Sequence, residues 1–248
     1  MALSVGNFTG NHSNSSDNAP TVNVPSGGAA GDEYIFATLS YDGGTITPAT
    51  GFTKITPEAT EGSLFYYLRA WKRTYTGSEG ATFAFSTSNY VGWVAACGIV
   101  KGAAATLVDA NAAADYAGYI SAGVQADMTT GSVTRSAAGQ LVLIIHGHGS
   151  VPGAQTITFT NPAGCTTQGT YDSTVGRVLR FSWIIEGASG STNYAGSSSS
   201  SIDQAQGGYG IALVFADAGG GGRTTKNTRS NPLGVRAGLH HRVRRRAA

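Results

Sequence analysis

Apolar and polar positions alternate along this chain in short runs, too brief and too strictly two-periodic for helices. Glu33 to Tyr41 (EYIFATLSY) sets Ile35, Ala37 and Leu39 on one face of a predicted strand. Ser63 to Lys72 places Tyr66, Leu68 and Ala70 on one side and Tyr67, Arg69 and Trp71 on the other. Ala81 to Ser86 brings Phe83 and Phe85 together. Val91 to Val100, Gln140 to His148 and Tyr209 to Ala216 are mostly apolar throughout, as central strands are. Shorter strands are predicted at Thr21 to Pro25, Phe52 to Ile55 and Thr156 to Thr160, and a longer one at Arg177 to Glu186. The stretch 103–138 is Ala-rich and weakly patterned; it suits edge strands at 107–109 and 131–134, or a short helix. Gly190 to Ser201, with five consecutive serines, reads as a loop or a weak edge strand.

The order of these elements repeats. Gly31-Asp32 precedes one apolar strand and Gly139-Gln140 another; Thr47-Pro48-Ala49 is echoed by Asn161-Pro162-Ala163. An aromatic strand, a Ser/Thr-rich strand and a final apolar strand follow in each half, at offsets of roughly 108 to 115 residues. The predicted fold is all-β, a Greek-key or jelly-roll-like β-sandwich of two similar four-stranded halves closing on one core over 21–218. A polar, Asn/Ser-rich N-terminal arm (1–20) precedes it. A Gly linker and basic C-terminal arm (219–248) follow.

Composition supports this and narrows the chemistry. With 36 Gly, 12% charged and 41% hydrophobic residues, the chain is rich in turn formers and still able to bury a core. No apolar run approaches the roughly 20 residues of a membrane helix, so no membrane insertion is expected. The first residues lack the basic and apolar regions of a signal peptide. Asn7, Asn11 and Asn14 open N-x-S/T triplets, read as chance matches in an Asn/Ser-rich terminus. Cys97 and Cys165 are expected as buried thiols rather than a disulfide.

Charge is divided along the chain. Residues 1–218 carry eight basic against fourteen acidic side chains, net −6; residues 219–248 carry eight basic and none acidic, net +8. The cations Arg223, Lys226, Arg229, Arg236, Arg242, Arg244, Arg245 and Arg246 surround Leu239 and a Pro-Leu-Gly-Val step, so the segment reads as an arm that docks on a protein. Nucleic acid is the lesser reading: cations favour phosphate, but no aromatic side chain interleaves them for base stacking.

Candidate chemistry is sparse, and no catalytic, cofactor-binding or metal-ligating set is assigned. His146 and His148 share a strand face and resemble two metal positions, but a pair at a strand end near solvent is the preferred reading. Glu33 and Glu186 are the one conceivable carboxylate pair for glycoside hydrolysis. No G-x-S-x-G elbow, P-loop or H-E-x-x-H motif occurs. Tyr66, Tyr67, Trp71, Trp93 and Trp183 are expected to fill the core. Tyr75, Tyr90, Tyr116, Tyr119 and Tyr194 fall in or near loops and are the candidates for surface recognition, including recognition of sugar.

The run Thr21-Val22-Asn23-Val24-Pro25, then Gly31-Asp32 and an aliphatic strand, then Ile46-Thr47-Pro48, Gly51-Phe52-Thr53, Tyr66-Tyr67 and Arg69-Ala70, resembles the β-sandwich proteins of tailed bacteriophages. These are capsid decoration, head-fibre and tail-associated subunits, and the likeness extends to Gly139-Gln140-Leu141-Val142-Leu143. It implies a non-enzymatic virion structural or adhesive subunit, exposed on the particle and assembled in the host cytoplasm. Subunits of this type are usually homo-oligomers and often trimers. Partners would be other capsid or tail proteins, with host-surface glycan as a further one. The chain departs from the pattern at Val100-Lys101-Gly102-Ala103, and the basic arm lies outside it.

Overall fold

The computed structural model describes residues 2–41, 44–61, 66–88, 91–150, 155–173 and 176–219. Within them the chain is all-β and antiparallel, with no helix. The first half forms β1 (Ser4–Asp17), β2 (Thr21–Asn23), β3 (Glu33–Tyr41), β4 (Ile46–Thr47), β5 (Thr53–Glu61), β6 (Tyr66–Thr74), β7 (Thr82–Ala84), β8 (Ser86–Thr87) and β9 (Val91–Lys101). The second forms β10 (Asp109–Ile120), β11 (Gln125–Met128), β12 (Ser132–Arg135), β13 (Leu141–Ser150), β14 (Ile157–Thr160), β15 (Thr166–Asp172), β16 (Arg177–Ile185), β17 (Gly190–Asn193), β18 (Gly196–Ser200) and β19 (Gln204–Phe215).

The repeat expected from sequence is present in the strand order. One five-stranded sheet runs β1-β9-β3-β6-β5; the other runs β10-β19-β13-β16-β15, the same order with every member replaced by its counterpart. The small pairs repeat too: β2-β7 answers to β12-β17, and β4-β8 to β14-β18, which gains β11 as a third strand.

Four layers result, where a two-layered sandwich on one core was expected. Ile35, Ala37, Leu39, Leu68, Ala70, Val94 and Ala96 face Leu141, Leu143, Ile145, Leu179, Phe181, Ile211 and Leu213, so the two large sheets pack on each other. Alternate residues of the same strands point outward, because a strand's side chains alternate in direction. In the first half Tyr34, Phe36, Trp71, Trp93 and Cys97 meet Val22, Phe83 and Phe85 of the small strands and nearby chain. In the second half Val142, Ile144 and Val214 meet Val133 and Tyr194, while Val178 meets Met128 and Phe159. Both large sheets are therefore covered on both faces, which is why β3 and β13 are buried almost residue for residue.

The halves are related as a two-fold axis along the strands would relate them: β1 lies against β15, and β5 against β10. Tyr66, opposite Tyr41, donates its hydroxyl to the Ser150 carbonyl at 2.6 Å, so the ends of β3 and β13 lie together. Call this the loop end. At the opposite end Ala103 bridges to Asp217 and the chain passes on to Gly219.

Two expectations need correction. Residues 1–20 are not a free arm: Ser4–Asp17 is an edge strand paired with β9, with Leu3 buried in the central core. The Ala-rich stretch 103–138 holds no helix; Asp109–Ile120 is the counterpart edge strand, paired with β19. Neither segment has the alternation that marks a strand, since an edge strand exposed to solvent needs little of it.

Gly98 on β9 illustrates how closely β1 is seated, because a Cβ there would fall inside the Phe8 ring, which itself tilts on Phe181 at 4.7 Å. Gly98→Val should therefore push β1 off the sheet. A loss of about 1–3 kcal/mol in denaturant unfolding is expected, with amide exchange rising first in residues 4–13; unchanged protection there would disprove the seating.

Candidate functional site

Three of the five large apolar side chains exposed among the described residues sit at the loop end of the second half. Tyr119 is 74% exposed, Val124 49% and Ile202 36%. Two turns hold them together. Gly123 donates to the Ser200 carbonyl at 2.8 Å, the Ala122 N–H donates to Asp203 Oδ1 at 2.6 Å, and Val124 closes on Ser121 at 3.1 Å. Gly123 takes φ +78°, which a side chain there would resist. Beside these turns runs a groove of about 360 Å³ lined by Ala122, Gly123, Thr156, Thr158, Ser199, Ser200 and Ser201. Among the described residues no ionisable side chain lines it. Its hydroxyls, which donate and accept, suit a neutral polar ligand and supply no general acid, base or metal ligand; Tyr119 precedes the same turn without lining the groove.

The same pairing stands in the first half. Thr156 and Ser201 exchange two hydrogen bonds, Thr156 N–H to Ser201 Oγ at 2.9 Å and Ser201 N–H to Thr156 O at 3.0 Å. Thr45 and Ser88 repeat both, at 3.0 and 2.9 Å. The cavity beside that pair, about 230 Å³, is lined by Thr45, Ile46, Lys54, Arg69 and Trp71. Its cations are already occupied: Arg69 Nε and Lys54 Nζ both reach Glu58 Oε2 at 2.8 Å, and the Arg69 guanidinium lies 4.5 Å over the Tyr67 ring. Burial pushes the Glu58 carboxyl up, but these two cations together hold it below its ordinary value.

The tyrosines singled out from sequence do not converge. Among those whose side chains are described, Tyr119 is the open ring. Tyr75 is half-buried, edge-on to Tyr34 at 5.1 Å, at the end opposite the loop end. Tyr116 lies in β10 opposite Gly207. Tyr194 is not at the surface: it is 4% exposed, accepts from Arg135 Nη1 at 3.0 Å and donates to Glu186 Oε1 at 2.7 Å. Its ring joins Val142 and Ile144 in the second outer core, so loop position does not mean exposure here. Tyr90 and the arm residues Arg223, Lys226, Arg229, Arg236, Leu239, Arg242, Arg244, Arg245 and Arg246 lie outside the described residues.

The groove is not legible from the sequence, where Gly190 to Ser201 reads as a loop or a weak edge strand. A signal was present: Ser197 to Ser201 on a strand must turn alternate hydroxyls outward and inward.

The other candidate groups are structural in placement. Glu33 lies wholly buried, held by Thr74 Oγ1 at 2.6 Å and Lys72 at 3.6 Å; burial raises its pKa, against both partners. Glu186 belongs to the Tyr194 and Arg135 set of the other half, so each acid has its own neighbours. His146 and His148 were expected near solvent and are instead 1% and 0% exposed, beneath β18. Among the described residues no group of three His, Cys, Asp or Glu is placed to hold a metal ion.

No family model, curated protein or solved structure matches this chain.

Both cysteines are free thiols; Cys97 is fully buried in the first outer core and Cys165 half-buried in the second. Burial raises the Cys97 pKa well above its ordinary value, and burial together with Glu186 pushes Cys165 up to about 11. Thiolate is the reactive form. A thiol reagent at pH 7 should therefore label Cys165 slowly and Cys97 only after unfolding, giving two labels per chain in denaturant. No label in denaturant would mean a disulfide.

Proposed function

We propose that this chain is a virion structural protein of a tailed bacteriophage, a capsid-decoration or tail-associated subunit. It docks on other virion proteins through its basic C-terminal arm, displays the β-stack at the particle surface, and is not an enzyme. The halves read as two copies of one Greek-key or jelly-roll-like unit. The observation that carries the reading is polarity: the chain reaches Gly219 at one end of the stack, and the open turns around Tyr119 sit at the other. The +8 arm therefore starts from the end facing away from those turns, as an anchor opposite a display surface requires. The likeness of residues 20–217 to phage β-sandwich subunits supports the same class. Deleting 223–248 should abolish incorporation into particles while thermal unfolding of the stack stays unchanged. Incorporation at the wild-type level would refute the anchor, and absence of the protein from purified virions would refute the class.

A second reading is favoured by the groove alone. We propose as the alternative a carbohydrate-binding adhesin module, with Tyr119 stacking on a sugar face and the Ser/Thr hydroxyls meeting its hydroxyl groups. On an array of neutral and acidic glycans, the full chain should bind neutral members, and Tyr119→Ala should weaken binding at least tenfold. Tyr75→Ala, at the opposite end, should not. No binding by the full chain disposes of this reading and leaves the virion one standing.

A further inference from the structure

The two outer layers rest on different chemistry, although their strands correspond. In the first half the surface beneath the outer layer is aromatic: Phe36 stacks on Phe85 at 3.6 Å, and Trp71 meets Phe85 at 5.3 Å. In the second half the equivalent region of β13 presents His146 and His148, where β3 has Thr38 and Ser40. The histidines point outward, since Leu143, Ile145 and the face of Gly147 against Leu39 belong to the central interface. Above them lies the three-stranded sheet β11-β18-β14. His148 Nδ1 meets Ser198 Oγ at 2.8 Å, while its Nε2 and both ring nitrogens of His146 have no partner in hydrogen-bond geometry among the described residues. Gly196 on β18 sits so close that a Cβ there would meet the His146 ring at 3.0 Å. The apolar contacts available to hold this sheet down are few: Met128, Phe159 and Val178, with Ile157 beside them.

We propose that the outer sheet β11-β18-β14 is a flap that acid opens: proton uptake by His146 and His148 lifts it from the second large sheet while the first half stays closed. The charges around the rings make protonation in place unfavourable. From β16 the nearest charge is the Arg180 guanidinium, which stands over Phe159 at 4.8 Å and repels a second cation. From β19 come Gln204 and Gln206, and from β18 Ser198 and Ser200, none ionisable. On β11, Asp127 is exposed, on the face opposite buried Ala126 and Met128. Arg135 on β12 is engaged with Tyr194, Thr192 and Glu186. No carboxylate among the described residues is placed to receive an imidazolium.

Burial holds both rings at about 4, against 6.5 for a solvated histidine; for His146 the nearby Tyr194 main chain pulls the other way, more weakly than burial. The closed form thus binds fewer protons than the opened one between those values, so opening is favoured as pH falls. Closure is complete above about pH 6.5 and weakens progressively down to about 4. Between pH 6.5 and 4 one ring can raise the ratio of opened to closed protein by roughly two orders of magnitude, the contribution levelling off once the pH falls well below 4. Opening bares Val178, Met128 and Phe159.

Amide hydrogen exchange on the full chain at pH 7.5 and 4.5, corrected for intrinsic rates, tests this without reference to any function. Peptides covering 125–128, 157–160 and 196–200 should lose protection by tenfold or more at the lower pH, while 33–41 and 66–74 keep theirs. A His146→Asn, His148→Asn double variant should lose the acid response, and each single variant should halve its steepness, which keeps the test open if the double variant folds poorly. Loss of protection in both halves together, or an acid response that survives in the variants, overturns the proposal.

Discussion

The structure depends on one contact, the face-to-face packing of two five-stranded sheets. Each sheet offers an aliphatic face built from its three central strands, with Leu39, Leu68 and Val94 on one side and Ile145, Leu179 and Ile211 on the other. Neither half could leave that face open to water, since burying each such side chain is worth roughly 1.5–3 kcal/mol. The outer layers then cover the remaining faces, and a chain with two copies of a unit folds as its own partner. Close approach is needed at the loop end of the interface, and glycine provides it: Gly149 lies against the Tyr66 ring and Gly92 against the Arg177 guanidinium.

What the sequence made legible follows from burial. Strands covered on one or both faces, such as β3, β6, β13 and β16, carry the alternation or continuity that pattern reading detects. Among the strands of the two large sheets, those unread are β1, β10 and β15, and each stands at an edge. Asn and Ser in β1, Ala in β10 and Thr in β15 suit a strand with a solvent side, and nothing in their order separates them from a loop. The layering was misjudged for a related reason. An apolar run buried on two sides looks the same whether the second cover comes from a partner sheet or a small local one. At the candidate site, Tyr119 was legible as an exposed aromatic. Tyr194 was not legible as a buried one, because its burial comes from Arg135 and Glu186, far from it in neither space nor role but separated in sequence.

The repeat also shows how two copies of one plan diverge. Arg69 and Arg180 occupy the same place in their sheets, opposite Thr38 and His146 respectively. One is neutralised by Glu58 and lies on Tyr67; the other donates to the Phe159 carbonyl and Asn161 Oδ1 and lies on Phe159. The backbone positions agree while the partners differ, so the outer surfaces of the halves have separate chemistries on a shared frame.

The direction in which the chain leaves the stack has a mechanical consequence. Gly219 follows closely on β19, which runs the length of its sheet and is bonded to β10 on one side and β13 on the other. Antiparallel bonds lie across the strand direction. A pull on the C-terminal segment against something held at the far tip would load two ladders in shear at once, instead of peeling them bond by bond. Stretching single molecules from those two points would read this as one high-force rupture, and a series of small ones would contradict it.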